Sequence, residues 1–445
     1  MLRTRRWTLP TFGTIVLLCL AALSVQAATA TSNESRQVIT ADIPRFWQAY
    51  NQIRETDSRT KQVEILKRVY IDPGSAGLHA MMARRNYSVD DYLDAINHYP
   101  RFFASVRANT LNADQYAADI DAGLAKLREL YPEAKPATVT FTIGALMSGG
   151  TTLNDQVLIG AEIAMADPSA VTDELPEPLA GNLRRYFDTN PIQNLALLNV
   201  HEYVHTQQGA FGSNLLAVSL QEGVAEFVST KAMGRPSASP ALAYGAGHAN
   251  PVRERFAAEM FSPNWDDWLY NDADNAFGIR DLGYYVGDAI ARAYFDQHGD
   301  SAEANRELIA LDYQDAEAVQ KLVDQSGYFR EPLSVLAERY RAQQPRVLAV
   351  TGLNEASRPA APALSTITIQ FSAPMNPRYR GFDTGPLGEA NVLRVEAVEG
   401  WSADHTELRL QVRVNAAQVQ QLVLSSGFRA AAGPALEPYL IEHSP

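Results

Sequence analysis

Cysteine is almost absent: the 445-residue chain has one, Cys19, inside the apolar run Phe12 to Leu23. That run follows Arg3, Arg5 and Arg6, is too short for a permanent bilayer span, and is trailed by small residues, the pattern of an export leader. Cleavage is expected after Ala27, so that residues 1–27 are a signal peptide that carries Cys19 away with it. A lipoprotein signal would need a small residue before the cysteine, and Leu18 stands there instead. The expected address is therefore periplasmic or extracellular, with no lipid anchor and no permanent membrane span. A mature chain without cysteine excludes disulfides and thiolate metal sites, so any metal must be held by His, Asp and Glu. Positive charge is scarce too. Lys and Arg number 38 against 51 Asp and Glu, for a net charge of −13, and removing three arginines and no acid with the leader takes this to −16. Such a balance excludes nucleic-acid binding through a basic patch. Internal repeats and low-complexity tracts are also missing.

What is present is apolar content of 46% over more than 400 residues, enough for more than one core. From Ile39 to about Tyr131 the periodicity predicts helices, among them Val89 to His98 and Ala113 to Leu130, with breaks at Pro73-Gly74 and Tyr99-Pro100. Ala137 to Ile143 alternates and is β-branched, and Val157-Leu158-Ile159 follows a Gly149-Gly150-Thr151 turn, which predicts a small sheet. Helices resume near Pro176 and run to Ala342. Beyond Gln343-Gln344-Pro345 the composition changes to short strands: Arg346 to Thr351, Thr366 to Phe371, Val392 to Val398, Leu408 to Val412 and Leu422 to Ser425. Roughly 100 residues of such strands suggest a sandwich.

The chemistry concentrates in His201-Glu202-Tyr203-Val204-His205. Asn190-Pro191 reads as N-cap and first-turn proline of a helix that Gly209 ends. One turn of helix brings His201 and His205 to within roughly 6 Å on one face, so both imidazoles can reach one metal ion. Glu202 projects about 100° further round, beside the metal rather than on it, where it can take a proton from water. A chance His-Glu-x-x-His is expected only about 0.007 times in a chain with this histidine content, which outweighs the reading of two satisfied core histidines. One site of this kind implies one Zn2+ per chain.

A third ligand is needed, with one position left open for water. On the next helix Leu220, Val224, Phe227 and Val228 form an apolar face, and Glu222 and Glu226 share the opposite one. Each can serve; the competing reading gives Glu222 to a capping box with Ser219, or both to a solvated face.

His201 to His205 followed by Leu220-Gln221-Glu222-Gly223 resembles the gluzincin metallopeptidases, the clan of thermolysin and the zinc aminopeptidases. The resemblance implies Glu222 as the third ligand and Glu226 as the residue that orients the first histidine. Here only 16 residues separate His205 from Glu222, slightly fewer than in those families. From about residue 85 to 300 the chain is similar to a bacterial family of predicted zinc proteases related to gliding-motility lipoproteins, through His201 to Gln208, Glu222 to Phe227 and Gly283-Tyr284-Tyr285-Val286-Gly287. In the last 100 residues or so, Ile367 to Met375 and Trp401 to Thr406 resemble bacterial Ig-like domains.

Peptide hydrolysis also needs a donor for the developing oxyanion. Tyr284 is the residue assigned that role, with Tyr285 and His248 as alternatives and core packing as the competing reading for both tyrosines. Thr142 to Gly150 is a candidate edge strand for an extended peptide, and Trp265 to Tyr270 a candidate subsite lining. The expectation is a multidomain chain: a mainly α (α+β) zincin-like catalytic domain with a small sheet, residues 28–345, then an all-β Ig-like sandwich, residues 346–445. Its expected function is that of an exported zinc peptidase. His201, His205 and Glu222 hold the metal, Glu202 moves the proton, and the substrate is a peptide or protein. The rival is a non-catalytic, zinc-stabilised cell-envelope protein that binds a partner through the Ig-like domain. Glu202 disfavours the rival, because structural zinc needs no general base.

Overall fold

The computed structural model describes residues 37–271, 273, 275–299, 301–353, 363–415, 417–431 and 433–444; the expected leader and its Cys19 lie outside them. The chain is mixed α and β, with helices predominating up to residue 343 and strands after it. The described residues divide into two compact units, 37–122 with 136–195, and 123–135 with 196–444.

The first unit is built on β1 (Val38–Ile39), α1 (Asp42–Ile53), α2 (Arg59–Leu66), α3 (Ala76–Arg85), α4 (Val89–His98), α5 (Pro100–Leu111) and the start of α6 (Ala113–Leu130). Helices α4 and α6 fall where the periodicity predicts them, and α5 opens on Pro100 at its first turn. The i, i+3, i+4, i+7 set Phe46, Ala49, Tyr50 and Ile53 of α1 is buried together with Trp47. Phe46 meets Trp47 and Tyr70 edge-on at 5.2 and 5.3 Å between ring centroids, a geometry aromatic quadrupoles favour. Asp42 is fully buried there. It accepts from the Ser75 backbone N–H at 3.0 Å, the Ser75 hydroxyl and Arg45 at 2.9 Å, which ties the start of α1 to the N-cap of α3.

The small sheet has the order β1-β2-β4-β3, from β2 (Thr138–Thr142), β3 (Gly150–Leu153) and β4 (Gln156–Gly160), with only β3 antiparallel. Two local expectations are corrected. The hairpin turns at Asn154-Asp155, with Asn154 left-handed at φ 53°, whereas Gly150-Thr151 belongs to a strand. The edges are β1 and β3, not Thr142 to Gly150: Thr142 ends a central strand and 143–149 is a loop. That loop is held by fully buried Glu162 of α7 (Ala161–Ala164), which accepts from the Gly144 and Leu146 backbone N–H groups at 2.9 and 3.2 Å. Burial pushes the Glu162 carboxyl up to about 7, against the pull of these bonds. Helix α8 (Leu179–Asp188) and a 3-10 turn, Pro191–Asn194, complete the unit.

The second unit carries α9 (Leu195–His205) from its second residue on, α10 (Leu215–Met233), α11 (Pro240–Gly247), α12 (Ala249–Glu259), α13 (Leu282–His298), α14 (Ala302–Ile309), α15 (Ala316–Ser326) and α16 (Leu333–Gln343). Helix α10 starts at Asn214, whose side chain accepts from the Ala217 N–H at 2.9 Å. It is buried almost all round rather than on one face, because α13 lies directly against it. A Cβ added at Gly223 would stand 2.0 Å from the Gly287 carbonyl carbon, and one at Gly287 would stand 1.8 Å from the Ser219 carbonyl oxygen. Only glycine permits this approach. It brings the middle of α10 and the first turns of α13 together, where the site lies.

The switch to strands falls between Gln343 and Val347. β5 (Val347–Thr351), β6 (Ala363–Phe371), β8 (Arg394–Trp401) and β9 (Glu407–Val414) form an antiparallel sheet in the order β5-β6-β9-β8. β7 (Phe382–Asp383), β10 (Gln420–Leu424) and β11 (Tyr439–His443) form a second, ordered β11-β10-β7. The two sheets share one apolar core, to which Ile367, Ile369, Leu408, Leu410, Leu422 and Leu424 contribute. Arg429, mostly buried, pairs with Asp266 at 3.0 Å, and Asn264 donates to the Ser426 carbonyl at 3.0 Å, so the turn after β10 contacts the segment that follows α12.

Candidate metal centre

Helix α9 is shorter than its sequence suggests. Asn190 is left-handed at φ 57° and makes no side-chain cap; Pro191–Asn194 is the 3-10 turn, and the α-helix proper spans Leu195–His205. The two histidines still share a face, with ring centroids 4.7 Å apart and Nε2 to Nε2 3.1 Å. Glu222 comes from the middle of α10. With Asn214 as the N-cap, Ser219 and Glu222 are interior helix positions, which removes the capping-box reading.

Glu222 Oε2 lies 3.1 Å from His205 Nε2 and 3.5 Å from His201 Nε2. One ligand atom from each of His201, His205 and Glu222 falls within 4.8 Å of the others, and they are the only such group among the described residues. The outer nitrogens fix how the rings present themselves. His205 Nδ1 stands 2.6 Å from Gln208 Oε1. The amide cannot be reversed, because Gln208 Nε2 donates to the Gln221 carbonyl at 2.9 Å, a group that only accepts, and also meets the Tyr313 hydroxyl at 3.0 Å. His201 Nδ1 lies 3.1 Å from Glu226 Oε2, an ion-pair distance off the line of an N–H···O bond. Gln208 Oε1 at His205 Nδ1 keeps that ring's proton outward when it is neutral, and the Glu226 carboxylate beside His201 Nδ1 favours the same tautomer there, so each Nε2 can turn a lone pair inward to a metal. Two lone pairs and a carboxylate oxygen then face one another in a buried space. A cation reconciles them, so the donor set fits a metal of the kind that takes imidazole and carboxylate.

The two carboxylates draw positive charge into this space, as a proton on an imidazole or as a metal ion that displaces it. Burial opposes charge on His201, but Glu222 and Glu226 outweigh it and raise its pKa to about 10; His205 is raised in the same manner by Glu222. Burial would raise the carboxyls of Glu222 and Glu226, yet the imidazoles hold both below their usual range, Glu222 well below. Glu202 is half-buried on α9, not among the converging atoms, and near enough for its charge to be felt at His205 and at the Tyr270 hydroxyl.

Tyr284, in the first turn of α13, stacks on His201 with centroids 6.0 Å apart and planes at 24°. Burial, and then the Glu222 charge, push its hydroxyl well above the ordinary range, so it stays a donor. Tyr285 faces the other way, packed beneath Gly245 and 8% exposed. His248 is exposed between α11 and α12, stacked on Tyr244 with Nδ1 2.9 Å from the Tyr244 carbonyl. Trp268 is a packing residue, edge-on to Phe256 and donating to Glu259 at 2.7 Å. Two participants hold places that the sequence does not assign them: Gln208 belongs there to a family-resembling motif, and Tyr270 to a candidate subsite lining. Gln208 lies three residues beyond His205, a helical spacing that could have flagged it. Tyr270 donates to Glu222 Oε1 at 2.5 Å from 48 residues away, and no periodicity announces that.

No family model matches the chain, and no curated protein does. Among solved structures it is matched to the crystal structure of the S-layer protein rSbsC(31-844) at 14% identity, covering 91% of this chain and 45% of that one, with a TM-score of 0.18. The chain thus spans less than half the length of that protein, and a likeness this weak carries no argument about fold or function.

Proposed function

We propose that the protein is an exported zinc-dependent peptidase of the gluzincin kind, with a zincin-like catalytic domain over residues 28–345 and an Ig-like sandwich over residues 346–445. The observation that carries this reading is the convergence of His201 Nε2, His205 Nε2 and Glu222 Oε2, with Gln208 Oε1 at His205 Nδ1, the Glu226 carboxylate beside His201 Nδ1, and a glutamate beside the donors rather than among them. Zinc held by these three residues would polarise a scissile carbonyl and make water a better nucleophile near neutral pH. Glu202 accepts the proton of the attacking water and delivers it to the departing amine nitrogen. Tyr284, kept protonated, donates to the oxyanion, and Glu226 holds His201 in place. The shared core of the two C-terminal sheets supports the Ig-like reading, and a cell-envelope partner is the role we assign to that module.

The export reading rests on residues 1–27; among the described residues no helix is long and apolar enough to cross a membrane. Incubating a mixed peptide library with the zinc-loaded chain and with Glu202→Gln tests the activity. Cleavage by the first and not by the second is expected. Zinc retained by both without cleavage by either would leave a zinc-stabilised binding protein instead.

A further inference from the structure

Glu222 has two oxygens and uses them differently. Oε2 faces the two histidines, while Oε1 accepts the Tyr270 hydroxyl. A carboxylate can bind a metal through one oxygen or two, and the second mode adds a ligand that crowds the side of the metal hydrolysis needs for water. We propose that Tyr270 is a positioning residue that holds Glu222 so that it offers one oxygen only, keeping that side open. The proposal rests on the metal reading above.

The backbone around Tyr270 supports a specific placement rather than incidental packing. Tyr270 adopts φ 56°, a left-handed conformation that is unfavourable for a bulky side chain. It is held there by Asp281, whose Oδ1 accepts the Tyr270 backbone N–H at 2.7 Å and which is itself left-handed at φ 63°. Tyr270 remains 52% exposed, so apolar burial does not explain its position; only the hydroxyl end reaches inward. On one side of it, Trp268 is anchored to Glu259; further back, Asp266 and Asn264 are gripped by Arg429 and the Ser426 carbonyl. The turn after β10 thus contacts the segment that delivers the hydroxyl.

Cobalt(II) substitution reads the coordination number directly, because four-coordinate cobalt(II) absorbs visible light more strongly than five-coordinate. Wild type and Tyr270→Phe, which removes the hydroxyl and keeps the ring, would be loaded with cobalt(II) and their visible spectra compared, with circular dichroism to verify the fold. The expected result is an unchanged fold and a loss of visible intensity in the variant as Oε1 becomes free to bind. Cobalt uptake with superimposable spectra would overturn the role of Tyr270 and leave the metal reading intact. No cobalt uptake by wild type would overturn the metal reading and this inference together.

Discussion

Replacing Gln208 by leucine removes the acceptor that turns His205 while keeping similar bulk. In the folded chain His205 Nδ1 has a 2.6 Å partner in Gln208 Oε1, and the amide is itself locked by the Gln221 carbonyl and the Tyr313 hydroxyl. Metal binding draws charge from the imidazole and strengthens the Nδ1–H bond, so the lost interaction is a charge-assisted one, worth about 1.5–3 kcal/mol. Loss of an outer partner of a ligand histidine typically costs about 10- to 100-fold in metal affinity, or ~1.4–2.7 kcal/mol, and the two figures agree. Competition for zinc against a chelator of known affinity measures it. Tyr313→Phe is the control, since Gln208 keeps its bond to the Gln221 carbonyl and the loss should be smaller. Zinc affinity of Gln208→Leu within about a factor of two of wild type would refute the reasoning and make Gln208 a packing residue.

Two further outcomes follow from other parts of the molecule. Glu162 has a folded pKa near 7 against 4.5 in the open chain, so its contribution is fully present below about pH 4.5 and lost as pH rises through 7, at most about 3 kcal/mol. Thermal melts from pH 4.5 to 7.5 should therefore slope down more steeply for wild type than for Glu162→Gln, and equal slopes would contradict this. Gly287→Ala drives a Cβ to 1.8 Å from the Ser219 carbonyl oxygen, so α10 and α13 must part by about 1.5 Å, at or above the ~1–3 kcal/mol usual for overpacking. An unchanged urea midpoint would show that the two helices do not pack as described.

The sequence carried the parts of the centre that depend on local geometry. His201 and His205 are one helical turn apart whatever surrounds them, and Glu222 and Glu226 share a face of the following helix for the same reason. Helix ends were read less well, because chain-local signals were overridden: Asn190 takes a left-handed conformation ahead of a 3-10 turn instead of capping a helix, and the hairpin turns at Asn154 rather than at the Gly149-Gly150 pair. The solvated face considered for α10 does not exist, because the close approach of α13 buries it, and that approach depends on Gly223 meeting Gly287 across two helices. Tyr270 reaches Glu222 only through the tertiary fold, from a left-handed position in a loop between α12 and α13. Spacing along the chain carries no trace of such a contact.

The metal centre is tested most directly by which carboxylate holds the ion. Each of wild type, Glu222→Ala and Glu226→Ala would be equilibrated with zinc, desalted and analysed for metal per chain. One zinc in wild type, none in Glu222→Ala and one more weakly held in Glu226→Ala is the predicted result. Zinc retained by Glu222→Ala and lost from Glu226→Ala would move the ligand to Glu226, and no zinc in wild type would contradict the centre altogether.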